Sequence, residues 1–185
     1  MGGVLAVSML VTEGLLLAQG RGREAIPLHL CSLSAIAAFL AAMGERRWTV
    51  DFLWYLGLPG AMLALVFPAP ASSAHQAAFT ASYYVTHLMI VLIPLALIAQ
   101  GAAPHPGRAA WMMLNLQGVA LCAFAVNSAL GTDFLFLSAP PAGTPLEGLY
   151  ALGYPVYLLF LEGMMLAVCL LQSASARVVF RRING

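Results

Sequence analysis

Apolar positions fill six long stretches of this chain, at about residues 2–19, 27–43, 48–67, 79–100, 109–130 and 149–172, while polar residues gather in the short connections. A helix needs about 20 apolar residues to cross a hydrocarbon core roughly 30 Å thick. The pattern therefore predicts an all-α fold: a polytopic membrane helix bundle of about six transmembrane helices. Neither a sequence repeat nor a domain boundary interrupts it, so residues 1–185 are expected to form one integral membrane domain. Proline should deform three of the spans, because it removes a backbone donor and crowds the preceding turn. Gly57-Leu58-Pro59-Gly60 predicts a kink in the third, and Pro94 and Pro155 predict bends in the fourth and sixth.

Composition sharpens this picture. The chain is 62% hydrophobic and 8% charged, far below the roughly 25% charge of soluble domains, which leaves little for a soluble domain. Its 8 basic residues, all arginine, face 7 acidic ones, and no polybasic run points to nucleic acid. Cys31, Cys122 and Cys169 all lie inside apolar stretches, so free thiols are expected rather than a disulfide framework. The first stretch lacks a basic leader and contains Glu13, which reads as a retained helix rather than a signal peptide.

When connections are assigned alternately to the two sides, Arg46, Arg47, Arg108, Arg177, Arg181 and Arg182 share one side and only Arg21 and Arg23 take the other. The positive-inside rule then places both termini in the cytoplasm. The His29 end of the second span and the 68–78 and 131–148 connections fall together on the outer side. His87 lies about two turns inside its helix from that same side, at about 5.4 Å per turn.

Pro27-Leu28-His29-Leu30-Cys31-Ser32 brings an imidazole and a thiol to the mouth of the second span. Pro27 suits a first helical position, which puts Cys31 in the second turn. The helix dipole favours thiolate there and apolar burial opposes it, so an imidazole partner would decide the balance. His29 and Cys31 diverge by roughly 200° on a regular helix. His87 is therefore the better base, and His29 is left to bind a phosphate or carbonyl or to hold a neighbouring helix. The bland alternative for a lone cysteine is a small buried hydrophobe, the reading given to Cys122 and Cys169. Intramembrane histidines usually face an interior or a wet cavity.

Asn127-Ser128-Ala129-Leu130-Gly131-Thr132-Asp133-Phe134 forms the other polar constellation. Gly131 can end a helix, and Thr132 or Asp133 can cap the next segment. These residues either organise a helix exit or line the outer cavity and orient a lipid headgroup. Glu13 and Glu162 must be neutral, paired or hydrated within their spans, and a histidine is an attractive partner. Tyr83, Tyr84, Tyr154 and Tyr157 read as interfacial anchors or interhelical donors. His75 and His105 fall in connections and read as solvated. Gly14 with Ala18, and Ser34 with Ala38, have the spacing that lets helices approach closely in lipid.

The Pro27–Ser32 segment, Tyr84-Val85-Thr86-His87 and Asn127 through Phe134, in that order, resemble the YwaF-like and transmembrane protein 164 family of integral membrane proteins, over about residues 25–171. The resemblance implies a cysteine-dependent acyltransferase acting on phospholipids or lysophospholipids, as its eukaryotic branch is regarded, in a bacterial plasma membrane. It implies Cys31 as the acyl-accepting nucleophile and His87 as its base. His29, Asn127, Thr132 and Asp133 become the expected substrate-binding residues. Asp133-Phe134 stands where the family more often has Asn-Tyr. Membrane lipids are the expected partners, with no nucleic acid, no cofactor and no metal. The competing readings are a non-catalytic lipid- or solute-binding membrane protein or transporter, and haem or metal ligation by His29 and His87, which have suitable donors but no local metal motif.

Overall fold

The computed structural model describes residues 1–44, 47–68 and 76–184. Arg46, Pro70, His75 and most of the 68–78 connection lie outside the described residues. The described elements are helical: α1 (Gly2–Ala18), α2 (Leu30–Ala42), α3 (Arg47–Phe52), α4 (Leu58–Val66), α5 (Gln76–Ala99), α6 (Ala109–Leu130), α7 (Leu146–Tyr150) and α8 (Tyr154–Asn184). A π-helical turn, Leu53–Gly57, joins α3 to α4 into one helical segment. That segment, α5, α6 with its leading turn, and α8 are each long and apolar enough to cross a membrane. The bundle is completed by the two shorter apolar helices α1 and α2.

The π turn explains how the third span contains Pro59. Proline offers no N–H to the carbonyl of Tyr55 four residues back, and its ring crowds that carbonyl. Widening the preceding turn relieves both conflicts. Pro94, by contrast, stands inside α5, which continues through it to Ala99. Pro155 does not bend the last span, contrary to expectation. It is the second residue of α8, where a missing N–H leaves no helical bond unmade. The last span is also displaced from its apolar pattern. Residues 149–153 belong to α7 and a turn, and α8 runs on to Asn184 beyond the apolar run.

Helix α2 is short and central. Thirteen residues span only about 20 Å at 1.5 Å per residue, which would leave a slab core of about 30 Å partly uncrossed. It tolerates this because it is enclosed: Ala35, Ala37, Ala38 and Ala41 are buried and pack with Leu5 of α1, Val50 and Leu53, Ala61 of α4, and Ile90, Ile93 and Leu97 of α5. Small side chains let neighbouring backbones approach in the absence of a hydrophobic driving force between helices. Gly57 shows how close they come. A Cβ there would meet Ser34 Oγ at 3.3 Å and Leu53 Cδ2 at 3.0 Å. Ser34 and Ala38 thus form the close-packed pair expected of them, whereas Gly14 and Ala18 are exposed and a Cβ on Gly14 would touch nothing within 4 Å.

Hydroxyls tie α1 to α5. Ser8 Oγ donates to the Ser82 carbonyl at 2.8 Å and shares a 2.7 Å bond with Thr86 Oγ1, and Ser82 Oγ donates to the Ser8 carbonyl at 2.8 Å. Thr12 and Ser82 share a further hydroxyl contact. Interhelical bonds of this kind are worth about 1 kcal/mol each in membranes. Ser8→Ala is expected to destabilise the bundle by about 1 kcal/mol, measured by denaturation in detergent micelles. No change would mean that Thr12 and Ser82 hold the pair unaided.

Helices α6 and α8 are peripheral and mostly exposed along their apolar windows. Cys169 packs in a second cluster with Trp54, Tyr55, Leu56, Leu58, Met112 and Ala176. Cys31, Cys122 and Cys169 are all free thiols.

Candidate functional site

Helix α2 starts three residues later than Pro27 would have it. His29 is the N-cap, with extended backbone angles of φ −72° and ψ 145°, so Cys31 is the second residue of the helix and stands in its first turn. The shift brings the half-buried thiol within the turn where unpaired N–H groups concentrate the positive end of the dipole. It also sends His29 elsewhere. Its ring packs edge-on against Phe134 at 5.0 Å and tilted against Phe136 at 5.6 Å. His29 therefore docks the loop after α6 over the mouth of α2. Arg23 reinforces this roof by donating to the Leu130 carbonyl at 3.1 Å. Nearby, the Arg21 guanidinium holds the Glu24 carboxyl below its ordinary pKa through a 2.6 Å ion pair.

His87 sits on α5, which packs beside α2, one helical turn nearer the His29 end than Ile90. It is buried, its Nδ1 lies 2.7 Å from the Tyr83 carbonyl, and the Tyr83 ring covers it at 4.1 Å. A carbonyl only accepts, so Nδ1 carries the hydrogen. In the neutral ring the lone pair then belongs to Nε2, which is buried and has no hydrogen-bond partner. Ser34 Oγ, one turn along α2 from Cys31, is also buried without a partner. No hydrogen bond joins Cys31 to His87 in this structure. The Tyr83 hydroxyl donates to the Ala64 carbonyl of α4 at 2.8 Å, fixing the start of α5 against α4.

Asn127, Thr132 and Asp133 spend their hydrogen bonds on their own loop. The Asn127 amide donates to the Phe134 carbonyl at 3.0 Å and accepts from the Phe134 N–H at 2.8 Å and the Thr132 hydroxyl at 3.0 Å. Asp133 accepts from the Ser138 and Ala139 N–H groups at 2.8 and 3.2 Å. Gly131, at φ 66°, closes α6 in the left-handed conformation. Leu135 and Phe136 come next in that loop with φ of 60° and 55°, a conformation that is costly for side-chain-bearing residues. The Asn127 bonds, the His29 ring contacts and a 2.6 Å bond from the Tyr157 hydroxyl to the Phe136 carbonyl surround this strained turn.

Neither membrane glutamate has a histidine partner among the described residues. Glu13 Oε2 is buried and unpartnered, and Glu162 accepts from Gln117 of α6 at 2.6 Å instead. Among the described residues, no three His, Cys, Asp or Glu side chains are grouped to hold a metal ion.

Sequence reasoning passed over Ser34, whose type and spacing suggested packing alone, and Asp51. The latter is a carboxylate one turn inside the third span, buried and bonded to the His105 N–H at 2.7 Å. A lone acidic residue in an otherwise apolar run was the available signal. An apolar groove of about 350 Å³ runs between α2, α3 and α6, lined by Leu33, Ile36, Trp48, Phe52, Trp111 and Asn115 among others. Leu33 lies roughly 200° round α2 from Cys31, so the groove opens on the opposite face of that helix from the thiol.

Compared with known proteins, residues 2–172 match the family model described as the TMEM164 family. No curated protein and no solved structure matches the chain.

Proposed function

The chain belongs to the TMEM164 family, and on that premise we propose that it is a membrane-embedded, cysteine-dependent acyltransferase acting on phospholipids or lysophospholipids. The observation that carries this reading is the buried, unpartnered Nε2 of His87, on the helix packed beside the one that bears Cys31. A base held in the correct tautomer by its other nitrogen is what a thiol nucleophile requires.

The chemistry proceeds in two halves. His87 Nε2 takes the Cys31 thiol proton, and the thiolate attacks the ester carbonyl carbon of a donor phospholipid. The carbon–oxygen bond breaks, a thioester forms on Cys31, and the departing lysophospholipid oxygen receives the proton from the His87 imidazolium. A second lysophospholipid hydroxyl then gives its proton to Nε2 and attacks the thioester. The carbon–sulfur bond breaks, the new ester leaves, and the thiolate regains the proton. Both halves need sulfur within hydrogen-bond reach of Nε2, a contact that catalytic pairs often complete only once substrate is bound. Ser34 Oγ, one turn along α2 from Cys31, is likewise without a protein partner.

In this reading His29 positions the roof over the thiol, and Asn127, Thr132 and Asp133 shape the loop beneath which a headgroup enters. The protein acts as one membrane domain with both termini cytoplasmic, supported by Arg108 in the turn before α6 and by Arg177, Arg181 and Arg182 at the end of α8. A second reading, a non-catalytic lipid-binding membrane protein, is favoured by the lack of a Cys31–His87 hydrogen bond in this structure.

The test is incubation of purified protein with phospholipid carrying an isotopically labelled acyl chain, and then intact mass measurement. The expected result is an acyl adduct that hydroxylamine removes. His87→Ala is expected to slow its appearance by roughly a hundredfold or more, the usual contribution of a general base. Undiminished adduct formation in that variant would remove His87 from the chemistry. Lipid binding without any adduct would favour the second reading.

A further inference from the structure

At the opposite end of the bundle from His29, the chain builds a recess bordered by charged side chains. Its volume is about 410 Å³, and it lies between the start of α3, the turn joining α5 to α6, and the last part of α8. Arg47, Asp51, Gln100, His105, Arg108 and Phe180 contribute to its lining. We propose that this recess binds a phosphate monoester group, as carried by an anionic phospholipid such as phosphatidic acid.

The arrangement of charge carries the inference. Asp51 has only 6% of its side chain exposed, whereas Arg108 beside it has 45% exposed. The carboxylate accepts from the His105 N–H at 2.7 Å through one oxygen and faces Arg108 Nε at 3.5 Å through the other. Asp51 thus works from below. It anchors the turn and engages Nε, leaving the two terminal nitrogens of the guanidinium fork to an outside ligand. Arg47 lies four residues before Asp51 on α3, hence on the same helix face, and it lines the same recess. Among the described residues, two guanidinium groups against one buried carboxylate leave the opening positive, and planar forks of this kind match phosphate oxygens bidentately. The His105 ring accepts from the Gly107 N–H at 3.2 Å and packs on Phe180 at 5.8 Å, which sets an aromatic wall beside the arginines.

The surroundings favour a lipid as the carrier of the phosphate. The Gly101 and Ala102 N–H groups donate to the Ile98 and Leu97 carbonyls at the end of α5 and the Ala103 N–H to the Gly101 carbonyl, so the arginine side chains must supply the recognition. The recess lies where α5 ends and α6 begins, the level at which headgroups meet hydrocarbon. Basic recesses of this kind between membrane helices accept phospholipid heads. Helix α2 separates Arg47 from Cys31 by about 20 Å, so this site is independent of the proposed thiol chemistry.

The test is thermal unfolding of the purified full chain in neutral detergent. The additions are dioleoyl phosphatidic acid, dioleoyl phosphatidylcholine, or sodium phosphate against sodium chloride at equal ionic strength. Phosphatidic acid is expected to raise Tm in a saturable way, and phosphatidylcholine to leave it unchanged. Arg47→Gln keeps the Asp51–Arg108 pair and so should fold. It is expected to weaken the phosphatidic acid response about tenfold in concentration, the worth of a charged hydrogen bond. A response to sodium phosphate that Arg47→Gln weakens would support the same site and identify its ligand as a soluble phosphate. Equal responses to both lipids, no response to either phosphate source, or a phosphate response untouched in Arg47→Gln would each overturn the proposal.

Discussion

Cys31→Ser is expected to lose acyl transfer by at least about a thousandfold, with no acyl adduct detectable on the protein. Removing the nucleophile of a coupled catalytic unit costs about as much as removing the whole unit. A serine hydroxyl in the same place is a far weaker acid than a thiol, and His87 is not arranged to overcome that difference. The fold should survive the change, because Cys31 is only half-buried and the replacement is nearly isosteric. The bundle is held instead by the alanine face of α2 and the hydroxyl ties between α1 and α5. The measurement is lipid acyl exchange by reconstituted protein, with Tm recorded in parallel. Exchange that continues at its original rate in a folded Cys31→Ser protein would sink the proposed chemistry and leave the second reading in place.

Asn127→Ala is expected to destabilise the protein by about 2–3 kcal/mol. The amide serves both the N–H and the carbonyl of Phe134, a residue only 1% exposed. Alanine would leave both backbone groups unpaired, and a buried unsatisfied donor or acceptor costs about 1–3 kcal/mol. The strained Leu135–Phe136 turn would lose one of its supports as well. Thr132→Val removes a single hydroxyl bond to the same amide and should cost about 1 kcal/mol. Denaturation midpoints of the two variants, read beside wild type, test the ranking. If Asn127→Ala left stability unchanged while abolishing lipid turnover, the amide would belong to substrate rather than to the loop.

Legibility differed by region for physical reasons. The apolar runs were readable because hydrocarbon imposes one requirement everywhere: a long enough helix with its backbone satisfied. Pro155 misled because a proline's effect depends on its position in the helix, and α8 starts one residue before it. Pro27 misled in the same way. It satisfies a first-turn preference, yet the Leu28 N–H bonds back to the Ile26 carbonyl in a tight turn about Pro27 and His29 is extended, so the helix opens only at Leu30. His105 was correctly read as exposed, but the buried carboxylate under its backbone was not foreseen. Asp51 meets that turn only after α5 has crossed the bundle and returned the chain to the same end.

By itself the sequence determined the class, the free state of the thiols and the family, because hydropathy and ordered motifs are properties of the linear chain. Tertiary structure decided which polar atoms are occupied and which are left over. It committed Asn127, Thr132 and Asp133 to one loop, turned His29 toward Phe134, and left Nε2 of His87 without a protein partner beside the cysteine-bearing helix. A hydrogen bond needs two groups within about 3 Å, and which groups meet at that distance is settled by how the helices pack.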